Sequence, residues 1–144
     1  MRLFALLFAF LVALAPPAVA GDEVATAQTI IRSQVEAFGR DDAAAAYSYA
    51  SPGIHEMFPQ ADAFLGMVQR RYAPVYRHKS FEFGEARTAE GKIAQSVHIV
   101  DSDGVPWEAL YTLEQQSDGS IKISGCMLIK SGQGALSISL GDSA

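Results

Sequence analysis

Three short turns of the same kind, in the second half of the chain, constrain its fold more than any other feature. They are Ala89-Glu90-Gly91, Ser102-Asp103-Gly104 and Ser117-Asp118-Gly119. Apolar and polar residues alternate on both sides of each turn, which is the period of a half-buried β-strand. An acidic residue followed by glycine suits a three-residue hairpin loop, because the glycine can adopt a positive φ in the bulge that closes it. The sequence therefore predicts a four-stranded antiparallel meander between residues 81 and 129.

Counting outward from the three predicted loops gives one register for all four strands. The register places four rows of side chains on the inner face of the sheet. These rows are Phe81, Ile99, Trp107 and Ile129; Phe83, Val97, Ala109 and Met127; Glu85, Gln95, Tyr111 and Gly125; and Arg87, Ile93, Leu113 and Ile123. The third row is polar, and polar groups on a face that packs against helices either hydrogen-bond to one another or line a cavity.

The same register gives the outer face a mixed character. Its centre is apolar enough to form a subunit interface, and the interpretation is a homodimer through this face. The residues of this predicted patch are Val100, Leu110, Cys126 and Leu128. A second outer row places His98 between Glu82 and Glu108, which are residue types that can hold a divalent metal. Such a trio is more often a surface charge cluster, and we predict no metal and no other cofactor.

The residues before the meander have the periodicity of helices. A stripe of apolar residues at steps of three and four predicts a first helix that ends at Gly39. The stripe consists of Val24, Ala27, Ile31, Val35 and Phe38. Asp41 or Asp42 is expected to cap a second helix over residues 43–50, and Ser51-Pro52 to begin a third. A fourth helix should end before Pro74, because the residue before a proline avoids helical geometry.

The first twenty residues have the pattern of a cleavable signal peptide. Arg2 precedes an apolar run over residues 3–14, and Ala18-Val19-Ala20 fits the small residues that precede the cut. Pro16-Pro17 interrupts this run before the ~20 apolar residues that a spanning helix needs, so we expect no stable membrane anchor after cleavage. The expected organisation is a signal peptide over residues 1–20, one α+β domain over residues 21–130 and a flexible tail over residues 131–144. A periplasmic or secreted location follows.

Charge and cysteine content exclude several classes of protein. The formal net charge is −5, which disfavours nucleic acid and anionic membrane surfaces as partners. The single cysteine, Cys126, leaves no internal disulfide framework, so stability must come from packing. We expect Cys126 to act as a small apolar side chain rather than as a nucleophile, because His98 is one strand and one row away.

Seven short stretches of the chain carry a family resemblance. They are Ser51-Pro52-Gly53-Ile54, Met57-Phe58-Pro59, Tyr72-Ala73-Pro74-Val75-Tyr76-Arg77, Phe83-Gly84-Glu85, Pro106-Trp107, Ala109-Leu110-Tyr111-Thr112-Leu113-Glu114 and Ile123-Ser124-Gly125-Cys126. This pattern resembles the bacterial family called domain of unknown function 4864 (DUF4864), over about residues 29–128. The resemblance implies a fold and an exported setting, with no established activity. Helices followed by a twisted meander also resemble the nuclear transport factor two-like superfamily, in which helices pack in the concave face of a curved sheet to form a cone.

The superfamily resemblance implies two kinds of function. Some members, such as ketosteroid isomerases, are enzymes that use a carboxylate base and a tyrosine hydroxyl inside the cone. In an isomerase, dehydratase or hydrolase of that kind, Glu85 would be the base and Tyr111 the hydrogen-bond donor. The alternative is that Glu85 is held by Arg87, Gln95 or Tyr111 and does no chemistry. Other members bind small apolar ligands or have no ligand.

We expect a binding or accessory domain rather than an enzyme. The cone would hold a small apolar or amphipathic molecule, with ligand contacts from side chains of the last helix and of the sheet. The candidate ligand-binding residues are Tyr72, Tyr76, Glu85, Gln95, Trp107 and Tyr111. The alternatives left open are the enzyme and an interaction module that dimerises through the outer sheet face.

Overall fold

The computed structural model describes residues 19–131. Residues 1–18 of the predicted signal peptide and residues 132–144 of the predicted tail lie outside the described residues. Within the described range, helices precede a four-stranded antiparallel sheet with strand order β1-β2-β3-β4. The elements are α1 (Val19–Gly39), α2 (Ala43–Ser48), α3 (Pro52–Met57), α4 (Ala61–Arg71), α5 (Ala73–Tyr76), β1 (His78–Ala89), β2 (Lys92–Asp101), β3 (Pro106–Gln115) and β4 (Ile121–Lys130). This order confirms the predicted α+β fold. None of the helices in residues 19–131 is long and apolar enough to cross a membrane.

Capping residues begin the short helices at the predicted places. The side chain of Asp42 accepts a hydrogen bond from the backbone N–H of Ala45 at 3.0 Å and caps α2. Ser51 caps α3 and is followed by proline in the first turn. Each cap satisfies an N–H group that has no partner inside its helix. α4 ends at Arg71, and the single-turn α5 follows with Pro74 in its first turn, so the predicted end of the fourth helix is confirmed.

The core lies between the helices and the inner face of the sheet. α1 buries a stripe of side chains against the sheet, and this stripe includes the polar Gln34. The fully buried hydrophobic residues of α1, β2 and β3 are Ala27, Ile31, Ala37, Phe38, Val97, Ile99, Ala109, Tyr111 and Leu113. Burying one large apolar side chain contributes about 1.5–3 kcal/mol, so this contact accounts for much of the stability of the fold.

The second and third hairpins have the predicted three-residue loops. The backbone N–H of Asp101 donates to the carbonyl of Val105 at 2.9 Å across the second loop. Gly104 and Gly119 close the two loops with φ of 82° and 86°. The predicted role of these glycines in the turn is therefore confirmed.

The first hairpin is tighter than predicted. Ala89 pairs with Lys92, so that Glu90 and Gly91 alone form the loop. Both residues have positive φ, at 48° and 77°. This is the geometry of a type I′ turn, whose twist matches the twist of the strands that it connects. The two-residue loop shifts the pairing of the adjoining strand residues by one position.

A bulge in β1 cancels this shift. Gly84 and Glu85 both lie opposite Ser96, and beyond them the predicted pairs are present. Between the bulge and the turn, Ala86 takes the inner position that was predicted for Glu85. Glu85 and Arg87 are exposed, so their predicted places on the inner face were wrong. The error arose because three-residue loops were assumed for all three hairpins.

A second bulge, at Ser124 in β4, changes which side chains face the core. Ser124 has no partner in β3, and every later pair is offset by one residue from the prediction. Tyr111 therefore lies opposite Cys126 and not opposite Gly125. Cys126 and Leu128 pack against the core, so their predicted outer positions were wrong. The exposed apolar residues of the outer face are instead Leu110, Met127 and Ile129.

The backbone of Ile123, next to this bulge, pairs with the link between α2 and α3. Its N–H donates to the carbonyl of Tyr49 at 2.9 Å, and its carbonyl accepts from the N–H of Ser51 at 2.8 Å. The link between α2 and α3 thereby adds to the edge of β4 as a parallel bridge at Ala50. This pairing provides hydrogen bonds for backbone groups that an edge strand would leave unpaired. No local sequence pattern predicts it.

Candidate functional site

A cavity of about 480 Å³ lies between the helices and the inner face of β3 and β4. Its lining comes from α1, α3, α4, α5 and the two strands. The apolar lining residues are Phe38, Ile54, Met57, Phe58, Phe64, Met67, Val68, Val75 and Ile123, and the others are Gln34, Arg70, Arg71, Tyr72, Tyr111 and Cys126. The volume falls within the ~300–1,000 Å³ that is typical of sites for small molecules. Among the described residues that line the cavity, none is acidic.

Tyr111 places an unpaired hydroxyl group in the wall of this cavity. The residue is 1% exposed, and its hydroxyl oxygen has no partner with hydrogen-bond geometry among the described residues. The nearby Cys126 thiol, whose pKa burial raises and the phenol lowers, is only a weak hydrogen-bond partner. Burial raises the pKa of Tyr111 well above its ordinary value, and the neighbouring Cys126 adds to this effect. The phenol is therefore neutral at physiological pH and can donate a hydrogen bond. A buried hydroxyl group without a partner costs about 1–3 kcal/mol.

Cys126 lies beside Tyr111 on the neighbouring strand. Burial raises the pKa of the Cys126 thiol to about 12. Only the thiolate is a strong nucleophile, so this side chain is unreactive at neutral pH. The expectation that Cys126 acts as a small apolar side chain fits this environment, although the residue lies on the opposite face from the one predicted.

Tyr72 connects the end of α4 to the sheet. Its hydroxyl group donates to the backbone carbonyl of Cys126 at 3.0 Å. Burial raises the pKa of Tyr72, so this donor also stays protonated. Of the six candidate ligand-binding residues, Tyr72 and Tyr111 line the cavity.

Tyr76 and Trp107 are engaged elsewhere. The Tyr76 hydroxyl group donates to Asp41, and the guanidinium of Arg77 lies over the Tyr76 ring at 3.9 Å. The indole N–H of Trp107 donates to Asp101 at 2.9 Å. Neither aromatic ring lines the cavity. The hydrogen bond of Tyr76 links α5 to the segment between α1 and α2, and the hydrogen bond of Trp107 links β3 to the end of β2.

Gln95 holds the β1 bulge. It is fully buried, and its Nε2 lies 2.8–3.3 Å from the backbone carbonyls of Ser96, Gly84 and Glu85. Its Oε1 accepts a hydrogen bond from Gln28 of α1 at 3.1 Å. Gln95 thus satisfies backbone groups at the bulge. Glu85 itself is exposed, so the structure does not bring it together with Tyr111 as a base and donor pair.

The outer row of Glu82, His98 and Glu108 has the predicted register. His98 Nδ1 lies 2.6 Å from Glu108, whose other oxygen accepts from Ser96 at 2.6 Å. A Cβ atom at Gly84 would lie 2.9 Å from His98 Nε2, so a larger residue at this position would require the exposed imidazole to move. Among residues 19–131 no three potential ligands come close enough to hold a metal. The arrangement is a close surface contact between His98 and Glu108.

Several lining residues were not identified from the sequence. Gln34 is a polar residue within the apolar stripe of α1, and that position was a usable signal. Arg70 and Arg71 occupy the last turn of α4. Cations are common there because they stabilise the helix dipole, so these two residues gave no separate indication of a site.

Residues 20–135 match the family described as a domain of unknown function (DUF4864). The chain belongs to this family. The assignment confirms the resemblance found in the sequence, and the fold is consistent with the cone of the nuclear transport factor two-like superfamily. No curated protein matches the chain. The DUF4864 description names no activity. The cavity and its lining are therefore the basis for a functional proposal.

Proposed function

We propose that the chain is a binding domain that holds a small, mainly apolar molecule in the cavity. One observation carries the proposal: Tyr111 lines the cavity, and its buried hydroxyl group has no partner among the described residues. Native proteins pair nearly all of their buried polar groups, so an exception on a cavity wall indicates a partner that is not part of the chain. A ligand oxygen that accepts from this phenol would complete the site.

The lining supports binding rather than catalysis. General acid–base chemistry needs a group that titrates near the working pH, within reach of the substrate. The described lining holds no carboxylate and no imidazole, and its thiol has a pKa of about 12. Two neutral phenols in a mainly apolar wall can recognise and orient a molecule. An enzyme would need a catalytic base that is not among the described lining residues.

Replacing Tyr111 with phenylalanine tests the proposal, with decanol as the probe. Without ligand, the variant should be more stable than wild type by about 1 kcal/mol, because an unpaired hydroxyl group is removed. Its affinity for decanol should fall about five- to tenfold, because one hydrogen bond is lost. Urea unfolding measures the first effect and isothermal titration calorimetry the second.

The matched control is Tyr49→Phe, which removes a phenol hydroxyl group outside the cavity lining. It should leave decanol affinity unchanged. A wild-type protein that does not bind decanol, or a Tyr111→Phe variant that is destabilised and binds as wild type does, would count against the proposal.

We also propose that the chain is exported to the periplasm or secreted. The support is the N-terminal pattern of Arg2, the apolar run over residues 3–14 and the small residues that end at Ala20. Mass spectrometry of the protein from fractionated cells should find Gly21 at its N-terminus. An intact N-terminus in the cytoplasmic fraction would contradict export.

A second candidate function is self-association through the outer sheet face. The observation that favours it is an exposed patch of Leu110, Met127 and Ile129, which are 39%, 57% and 45% exposed. Apolar patches of this kind are covered in many proteins by a second copy of the chain. Met127→Lys should then convert a dimer to a monomer in sedimentation equilibrium. A wild-type monomer at high concentration would refute this candidate.

A further inference from the structure

Two arginines line the cavity at the end of α4, and they suggest the chemical class of the ligand. We infer that the molecule is an amphiphile with an anionic group, which binds Arg70 and Arg71, and with an oxygen near its other end, which accepts from Tyr111. This inference rests on the proposed function, since it specifies the ligand of the same cavity. Arg70 and Arg71 are called the arginine pair below.

The arginine pair is free of intramolecular partners within the described part of the chain. Neither residue forms an ion pair or a side-chain hydrogen bond there, whereas Arg40 pairs with Asp42 and Arg77 with Asp41. Both residues of the pair are exposed, and both line the cavity. Their guanidinium groups are therefore available to an anion at the cavity edge.

The guanidinium group of Arg70 lies close to a neighbouring glycine. A Cβ atom at Gly66, one helical turn earlier, would lie 3.1 Å from Nη1 of Arg70. The guanidinium thus lies back along α4 beside Gly66 rather than extending directly into solvent. The Cα–Cβ bonds of a helix point towards its N-terminus. The Arg70 side chain therefore also lies on the side of α4 that includes Met67.

The charge distribution favours an anion beside the arginine pair and disfavours one on the rest of the molecule. The chain carries a formal net charge of −5, so an anionic ligand gains nothing from the molecule as a whole. The described lining contains two guanidinium groups and no carboxylate. Guanidinium binds carboxylate and phosphate oxygens through paired hydrogen bonds, which are stronger than neutral ones.

The two polar ends of the site are joined along one wall. Tyr72 follows Arg71 in the chain, and its hydroxyl group contacts the backbone of Cys126, the residue opposite Tyr111. Tyr72 and Cys126 belong to this wall, and the rest of the lining is mainly apolar. A ligand that matches this order carries its anion at one end, an apolar chain in the middle and an uncharged acceptor oxygen at the other end.

Three probes of matched length test this assignment by isothermal titration calorimetry: decanol, ω-hydroxydecanoate and ω-aminodecanol. We expect ω-hydroxydecanoate to bind about five- to tenfold more tightly than decanol, and ω-aminodecanol to bind more weakly than decanol. High salt should reduce the advantage of the carboxylate, because exposed guanidinium groups are screened.

The double variant Arg70→Gln/Arg71→Gln should abolish the preference for carboxylate, measured as the ratio of the ω-hydroxydecanoate and decanol affinities of the same variant. Its charge-matched control, Arg87→Gln/Lys92→Gln, removes two positive charges beside the first hairpin, away from the cavity, and should retain the preference. Circular dichroism confirms that the variants are folded, and the two single variants replace the double variant if it is not.

The outcomes separate the two proposals. If decanol binds with the expected dependence on Tyr111 but the carboxylate adds no affinity, or adds it equally in the double variant, the assignment of the arginine pair is wrong and the binding function stands. If none of the three probes binds, the proposed function itself fails.

Discussion

Replacing Cys126 with phenylalanine should reduce decanol affinity by about 100-fold, whereas Met127→Phe should leave it unchanged. Cys126 lines the cavity next to Tyr111, so a phenyl ring at this position fills space that the ligand needs and covers the hydroxyl group. Met127 is 57% exposed on the outer face, where a ring meets solvent. Titration calorimetry of the two variants with decanol measures the difference.

The two variants also test the bulge at Ser124. Neighbouring residues in a strand point to opposite faces, so one inserted residue decides which of the two side chains enters the cavity. Without the bulge, Met127 would face the helices and the result would be reversed. A loss of binding in Met127→Phe with normal binding in Cys126→Phe would therefore contradict the register, and equal binding by both would contradict the cavity as the site.

The second large effect is expected for Gln95→Leu, which should lower the free energy of unfolding by about 2–4 kcal/mol. Leucine has a similar shape but cannot donate to the carbonyls of Gly84 and Glu85, which the bulge turns away from regular pairing. The amide of Gln28 also loses its acceptor. Urea unfolding followed by circular dichroism gives the magnitude.

Gln115→Leu is the control for this measurement. Gln115 is exposed at the end of β3, and the same exchange there should change stability by less than about 0.5 kcal/mol. A loss of stability that is equal in both variants would mean that the amide of Gln95 does not hold the bulge. A Gln95→Leu variant as stable as wild type would lead to the same conclusion.

The alternation of apolar and polar residues predicted the central part of the sheet correctly. Phe83, Val97 and Ala109 form a row across three strands, as the hydrophobic pattern requires. This part is predictable because a slip of one residue would expose the whole apolar row of a strand. The same reasoning failed in β4, where Cys126 and Leu128 are about as apolar as Met127 and Ile129. Either pair can face the core, so local pattern cannot choose between them.

The candidate site was harder to predict because its residues come from separate elements. Tyr111 was identified from its inner position, and Tyr72 as a side chain of the last helix that was expected to contact a ligand. The cavity, however, is a space left between α3, α4 and the sheet, and its existence depends on packing that no single segment encodes. Glu85 was misplaced by one residue of loop length, which was enough to remove the proposed catalytic base.

The most direct test of the binding site uses the methionine methyl groups as reporters. Met57 and Met67 line the cavity, and Met127 lies on the outer face. In a nuclear magnetic resonance titration of methyl-labelled protein with decanol, the signals of Met57 and Met67 should shift and saturate together while the Met127 signal stays fixed. A shift of Met127 alone would place the ligand on the outer face, and no saturable shift at Met57 and Met67 would contradict a ligand-binding cavity.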